Sequence, residues 1–333
     1  MPEAHAILSA SSSKRWLNCT PSARLEQNFP NESSVYAEEG TAAHALGEYK
    51  LRKYLHERVK RPTSEYEDEE MEANTDIYAE FIISTVERIK ETCPHPLVMV
   101  EERLDYSYLV PSGFGTGDCV IIADGTLYVM DYKNGKGVFV NCDHNPQMML
   151  YALGAYHAYG YLYSIKKVSM TIIQPRLENI STFECSVEEL LDWAETYVRP
   201  RAKLAFEGKG EQVPGDWCRF CRARTSCKAC AAEAMALVKE EFLDLDAGVL
   251  EDETEETDAT ASFDPDTSVP TFKSPALLSK TDIEKMLPTL NRIESWIEAI
   301  FAYVSSEAIN HGVSWDGYKV VEGRSKRQFL DTK

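Results

Sequence analysis

An α/β fold with a mixed β-sheet flanked by helices is what the sequence predicts, on three observations. Residues 97–132 lack helical periodicity and carry two short apolar runs, Val120–Ala123 and Leu127–Met130, on either side of Asp124-Gly125. That dipeptide is a strong signal for a tight hairpin turn. Amphipathic helical segments bracket the hairpin, and a further strand follows at Lys167–Gln174. Helices and strands in this order pack as layers around a mixed sheet.

The elements follow in chain order. Residues 10–29 predict a short helix, because Ser11 to Ser13 offer capping oxygens ahead of Trp16, Leu17 and Leu25. A better helix runs from Gly40 to Arg58, with Thr41 as cap and Ala45, Leu46, Tyr49 and Leu55 at roughly helical spacing. The acidic residues 64–72 suit a solvated loop or helix start, and Asp76 to Thr92 is amphipathic. Strand character begins at Leu97 and includes the hairpin. Asn145 to Tyr161 returns to helix. Ser186 to Phe206 predicts a long helix opened by a Ser-x-x-Glu capping box, Ser186 to Glu189. A cysteine-rich segment covers 218–230, and residues 279–310 carry a helical apolar repeat through Ile283, Leu290, Ile297 and Tyr303. The basic end, from Tyr318, suits a strand edge.

With 333 residues, 44% of them hydrophobic, the chain can bury one large core or two smaller ones. No run approaches the roughly 20 apolar residues of a membrane span. The N-terminus lacks the basic and apolar regions of a signal peptide, so a cytoplasmic location is expected. In that compartment nine cysteines stay reduced, to be buried, metal-binding or catalytic.

The net charge of −19 argues at first against nucleic acid. Twelve Asp and Glu residues and no Lys or Arg lie between Glu240 and Asp266, which leaves −7 for everything else. Arg199, Arg201, Lys203, Lys209, Arg219, Arg222, Arg224 and Lys228 form a local basic cluster. Charge alone therefore excludes no polyanionic partner. The acidic stretch reads as a disordered linker over residues 236–275, between a main domain (1–235) and a helical C-terminal region (276–333).

The hairpin carries the first chemistry. Folding back at Asp124-Gly125 brings Asp118 and Asp131 together at the outer strand ends, and period-2 alternation puts Lys133 on the face of Asp131. Two carboxylates can hold Mg²⁺ or Mn²⁺, with the Tyr132 carbonyl as a further oxygen. The lysine can orient a water or offset charge on a phosphate. Taken singly, each feature also suits a turn aspartate or a surface ion pair. Glu101 and Glu102, on the preceding strand, are further acids near the site.

This arrangement resembles the PD-(D/E)XK nuclease superfamily, which has an acid on one strand and an acid-x-Lys on the next. Gly40-Thr-Ala-Ala-His44 resembles the Gly-x-x-x-His helix of its RecB-like branch, which includes AddB nuclease domains and CRISPR-adaptation nucleases. Gln147-x-x-x-Tyr151 resembles that branch's Gln-x-x-x-Tyr helix, with both side chains on one face. Asp131 stands where many relatives have Glu. The resemblance spans about residues 7–232 and implies a restriction-endonuclease-like core. It makes His44, Asp118 and Asp131 metal ligands, Lys133 the catalytic lysine, and Gln147 and Tyr151 substrate-positioning residues.

Cys218-x-x-Cys221-x5-Cys227 has a spacing that zinc and iron–sulfur sites share, and Cys230 or the distant Cys19 could complete it. Ligand chemistry leaves the two open. The RecB-like resemblance implies a [4Fe-4S] cluster held by Cys19, Cys218, Cys221 and Cys227, stapling the domain. The other four cysteines fit no ligand pattern and are expected to be buried, inert thiols.

The implied function is a Mg²⁺- or Mn²⁺-dependent deoxyribonuclease, an exonuclease acting on single-stranded or duplex DNA ends. The phage-like organisation implies replication or recombination beside a single-strand binding or annealing protein, with no membrane partner. Two alternatives stand beside it: a catalytically silent DNA- or protein-binding module keeping the fold, and a zinc-stapled adaptor.

Overall fold

A computed structural model of the chain describes residues 6–30, 34–233 and 280–318. It divides into two compact units, residues 1–213 and 214–333. The cysteine segment thus groups with the second unit, not with the main domain that the sequence had bounded at 235. The expected acidic linker (236–275) and the basic end (319–333) lie outside the described residues.

The first unit is built on one five-stranded sheet in the order β1 (Leu97–Asp105), β2 (Phe114–Ala123), β3 (Thr126–Tyr132), β4 (Lys167–Gln174) and β5 (Asn179–Ser186). Neighbours are antiparallel except β3 and β4, which are parallel. A parallel pair needs a crossover, and α5 (Pro146–Tyr163) supplies it. The β2–β3 hairpin turns at Asp124 and Gly125, both with positive φ (47° and 71°). That is the signature of a type I′ turn, whose twist suits a hairpin.

The helices cover both faces. On one side α5 and α6 (Val187–Trp193) pack with α1 (Ser13–Asn18), α2 (Ser22–Leu25) and α7 (Arg199–Glu207) over Val120, Ile122, Leu127, Val129 and Met170. On the other, α3 (Val35–Tyr54) and α4 (Glu69–Lys90) cover Val100, Cys119, Ile121, Met130 and Tyr132. No described helix is long and apolar enough to cross a membrane.

The helix starts differ from the sequence expectation for reasons of capping. α3 begins at Val35 because the Ser34 hydroxyl accepts from Ala37 N, so Gly40 and Thr41 lie inside it. α4 begins at Glu69, capped by Asp68, so the end of the acidic run 64–72 is the helix start that its composition left open beside a loop. Carboxylates there favour the positive end of the helix dipole. The Ser186–Glu189 capping box forms as expected. The long helix behind it widens to a π-turn at Ala194–Val198, next to Pro200, whose ring cannot donate back to the preceding turn. Strand β5 gave no sequence signal: it is an edge strand, polar at most positions, with Ile180 pointing outward.

In the second unit, residues 216–226 form short 3₁₀ turns and residues 228–233 are helical. The long helix α8 (Lys280–His311) matches its expected span and packs on those turns, where Arg224 Nη1 donates to Ser295 Oγ (3.1 Å).

Because Gly125 sits in the left-handed region, Gly125→Ala is expected to lower stability by about 1–2 kcal/mol. Urea unfolding would measure this as a lower midpoint with an unchanged m-value.

Candidate functional site

Asp118 and Asp131 lie one step beyond the last hairpin pair, Cys119 and Met130, and both are buried. The Asp118 carboxylate takes over the end of the ladder, where Oδ2 accepts from Tyr132 N at 2.6 Å. The sequence expectation of two acids meeting at one end of the hairpin therefore holds in the folded chain.

Around them the side chains form two sets. His44, from the middle of α3, places Nδ1 3.2 Å from Asp118 Oδ1, and its ring meets Tyr132 edge-on. Glu101 joins this pair: His44, Glu101 and Asp118 offer ligand atoms within 4.8 Å of one another. The second set surrounds Asp131. Lys133 Nζ stands 2.8 Å from Asp131 Oδ2, and Gln147 Nε2 donates to Asp131 Oδ1 (3.0 Å). Gln147 Oε1 accepts from Lys133 (3.1 Å), while its Nε2 also reaches Tyr151 Oη (3.3 Å). All six residues that the nuclease resemblance singles out are thus held in two adjoining clusters, with Glu101 as a seventh.

Local structure explains these placements. Asn145 caps α5 by accepting from Gln147 N, and Pro146 occupies the first turn, so Gln147 projects from the helix start. Tyr151, one turn on, fits only because residue 115 is glycine: a Cβ there would lie 2.6 Å from the Tyr151 ring.

Glu101 owes its place to the backbone. Its φ is +53°, uncommon for a residue with a side chain and costly within a strand. It lies opposite Asp118 in the β1–β2 register, between the pairs Val100–Cys119 and Glu102–Gly117. On either side of it the alternation changes phase. Val100 belongs to the α3/α4 face, whereas Leu104, four residues on, belongs to the α5 face. Glu102 likewise faces α5, accepting from Tyr159 Oη at 2.8 Å. Val100 and Glu101 therefore both turn toward α3, which strict alternation forbids. That is why Glu101 ranks low when judged by sequence, and the left-handed residue itself carries no sequence signature.

The electrostatics separate the two acids. Burial opposes ionisation of Asp118, but the His44 charge and hydrogen bond and the Tyr132 N–H outweigh it, so its pKa lies below the usual carboxylate range. Asp131 is pushed up by burial and by Asp118, with Lys133 opposing. Burial would lower His44, yet Asp118 raises it to about 9. Burial and the Asp118 charge raise Glu101 to about 7. Lys133 is raised by Asp131 against its own burial. The Lys133 ammonium, 2.8 Å from Asp131 Oδ2, is the partner of that oxygen.

A hard divalent cation fits this donor set. Two carboxylates and an imidazole converge, the like charges are held together by cationic side chains, and a third of the His44 side chain is exposed. Asp131 lies outside that three-residue group, held by Lys133 and Gln147 instead.

The cysteines fall in both units, with Cys19, Cys93, Cys119, Cys142 and Cys185 in the first and Cys218, Cys221, Cys227 and Cys230 in the second. Cys19 is buried at the C-terminal end of α1 in the first unit. In the second unit the Cys230 thiol is raised by a hydrogen bond with Cys218, by burial and by the charges of Cys218 and Cys227, but among the described residues no three cysteines bring their sulfurs within 4.8 Å of one another. Of the four cysteines expected to be buried and inert, Cys119 and Cys142 are fully buried, whereas Cys93 and Cys185 are only partly so.

Mn²⁺ is expected to raise the melting temperature, since ligand at about a hundred times Kd adds about 2.7 kcal/mol. Glu101→Gln should reduce this shift and Asp118→Asn abolish it in thermal-shift titrations. An undiminished shift in both variants would place the cation elsewhere.

One solved structure, described as "Crystal structure of SSO0001", aligns at 14% identity over 63% of this chain and 95% of that chain, with a TM-score of 0.26. So low an overlap leaves the fold to be argued from this chain's own elements. Residues 5–333, nearly the whole chain, match the family model described as "Protein of unknown function (DUF2800)". The chain belongs to the DUF2800 family.

Proposed function

We propose that this protein is a metal-dependent DNA nuclease that hydrolyses phosphodiester bonds at the Asp118–Asp131 site. The observation that carries the proposal is the pairing of a cation-type cluster, His44–Glu101–Asp118, with an acid–lysine–glutamine cluster, Asp131–Lys133–Gln147, at one end of the hairpin. Phosphodiester hydrolysis needs both a place for a hard cation and a positioned cationic side chain.

Each residue has a task. His44, Glu101 and Asp118 would hold Mg²⁺ or Mn²⁺, with Asp131 contributing from the second cluster. The bound cation would polarise the phosphate and lower the pKa of the attacking water. Lys133 remains an ammonium beside Asp131, able to offset charge as it builds on the phosphate oxygens. Asp131 Oδ2, paired with Lys133, has a second lone pair that can accept a hydrogen bond from that water. Gln147 locks Lys133 and Asp131 in register and leans on Tyr151, whose ring packs over Gly115. The resemblance to RecB-like nucleases extends the proposal to an exonuclease working on DNA ends in phage replication or recombination.

The same resemblance assigns a [4Fe-4S] cluster to Cys19, Cys218, Cys221 and Cys227, where four thiolates would tie the two ends of the nuclease region. The Cys230–Cys218 hydrogen bond favours a second reading for this segment alone, a local zinc site within the second unit.

Purified protein with Mn²⁺ is expected to degrade single-stranded or duplex DNA, and Lys133→Ala to lower kcat by roughly 100-fold or more. A native protein inert on both substrates would remove the enzyme proposal and leave a binding module. Protein purified anaerobically should be brown, absorbing near roughly 400 nm as thiolate-bound iron does. It should lose iron in Cys19→Ser and keep it in Cys230→Ser. Colourless, zinc-containing protein that loses its metal only in Cys230→Ser would establish the local zinc site instead.

A further inference from the structure

The loop that leaves the site, Asn134-Gly-Lys-Gly-Val-Phe-Val140, is held in an unusual way. Two buried amides clamp it through its carbonyls. Gln174 Nε2 donates to Gly135 O (2.7 Å) and Val138 O (2.8 Å), and Gln174 Oε1 accepts from Val140 N (3.1 Å). Asn179 Nδ2 donates to Val140 O (2.8 Å) and to Gln174 Oε1 (3.3 Å). Arg176, paired with Glu39 and Glu70, also reaches Asn134 O (3.4 Å). Buried amides with every contact made rigidify what they hold. This loop is preorganised, not slack.

What it turns outward is different. Residues 135–139 are all exposed, Phe139 by 61%. Among the described residues, none of the backbone N–H groups of Gly135, Lys136, Gly137, Val138 and Phe139 finds an acceptor. Lys136 is exposed, with Glu70 within electrostatic reach. The two glycines have no reason inside the protein: neither has a left-handed φ, and a Cβ on either would meet nothing within 4 Å. A glycine that the fold does not need is one that lets something outside the chain come close to the backbone. At the base of the loop, buried Asp131 is paired with Lys133. Gly135 follows Lys133 by two residues, at most about 7 Å of chain.

We infer that the Gly135-Lys136-Gly137 loop is a phosphate-binding element of the site: its N–H groups and Lys136 grip the nucleic-acid backbone next to the scissile phosphate, and Phe139 stacks on a base. Successive backbone N–H groups left open to solvent in a glycine-rich loop can converge on an anion. An exposed aromatic beside a cationic groove is how single strands are held without sequence preference. The inference rests on the nuclease reading for its ligand class.

The test is fluorescence anisotropy of a labelled single-stranded oligonucleotide with the full-length protein in EDTA, alongside the Mn²⁺ cleavage assay. The double variant Gly135→Ala/Gly137→Ala should bind about 10-fold more weakly, with a melting temperature within about a degree of native because each Cβ enters open space. Lys136→Ala should reduce the slope of log K against log salt by about 1, and Phe139→Ala should weaken binding at every salt concentration. If native protein binds and cleaves while all three variants match it, the loop is not a contact and this inference alone is overturned. If native protein binds without cleaving and the variants weaken binding, the loop contact stands and the nuclease reading falls. A native protein that neither binds nor cleaves overturns both.

Discussion

Two carboxylates buried side by side are the constraint on which the rest of the first unit depends. Asp118 and Asp131 face each other across β2 and β3 at a point where the ladder has run out. Cross-strand neighbours about 5 Å apart repel by roughly 3 kcal/mol at an effective dielectric of 20, before the cost of removing each from water. The chain offsets this with one counter-charge per acid, drawn from opposite faces of the sheet: His44 from α3 for Asp118, and Lys133 from β3 itself for Asp131. Backbone and amide donors supply the remainder, through Tyr132 N and Gln147. A structural core would replace such a group with apolar residues at little loss and often with gain. Such a group is costly to keep in so apolar an environment.

The backbone strain at Glu101 belongs to the same constraint. A regular β1 would send residue 101 toward α5, away from His44, because Val100 already faces α3. The left-handed turn at 101 takes one unfavourable conformation to add a second acid to the His44–Asp118 pair, then resets the strand so that Glu102 and Leu104 face α5. Arg52 supports the switch from the preceding residue, with Nη2 donating to Val100 O at 2.9 Å while its other nitrogens hold Glu48 and Glu57. Strain of this kind persists only where its surroundings over-determine it, and here helix, strand and ion pair all bear on two residues.

Much of this was legible in the sequence, and what was not has a physical cause. The hairpin, the crossover helix α5, strand β4, the Ser186 capping box and the long C-terminal helix all follow from local patterns that tertiary packing does not override. The pairing of Asp131 with Lys133, and of Gln147 with Tyr151, follows from strand and helix periods alone. The misses are of another type. β5 is an edge strand whose polar residues are paid for by backbone pairing with β4, so its apolar pattern is weak. α3 and α4 start early because single serine and aspartate caps decide, and neighbouring residues offered rival caps. Glu101 was hidden by the assumption that strands alternate without interruption.

The position of the site follows from topology as much as from residue choice. β3 and β4 are the one parallel pair in the sheet, so both run out at the same end and α5 must start there to make the crossover. In open α/β sheets that end is where loops gather and ligands bind. Here β3 delivers Asp131 and Lys133, β4 delivers Gln174 and Arg176, and α5 delivers Gln147 with the positive end of its dipole. The antiparallel neighbour β2 contributes Asp118 from its middle, where the strand switches phase, and so reaches the same end without ending there. An acid carried on β5 or on the outer part of β1 could not meet these groups. The single parallel pair is therefore what allows reactive side chains from three strands and two helices to converge at one solvent-facing edge of a sheet that is otherwise buried on both faces.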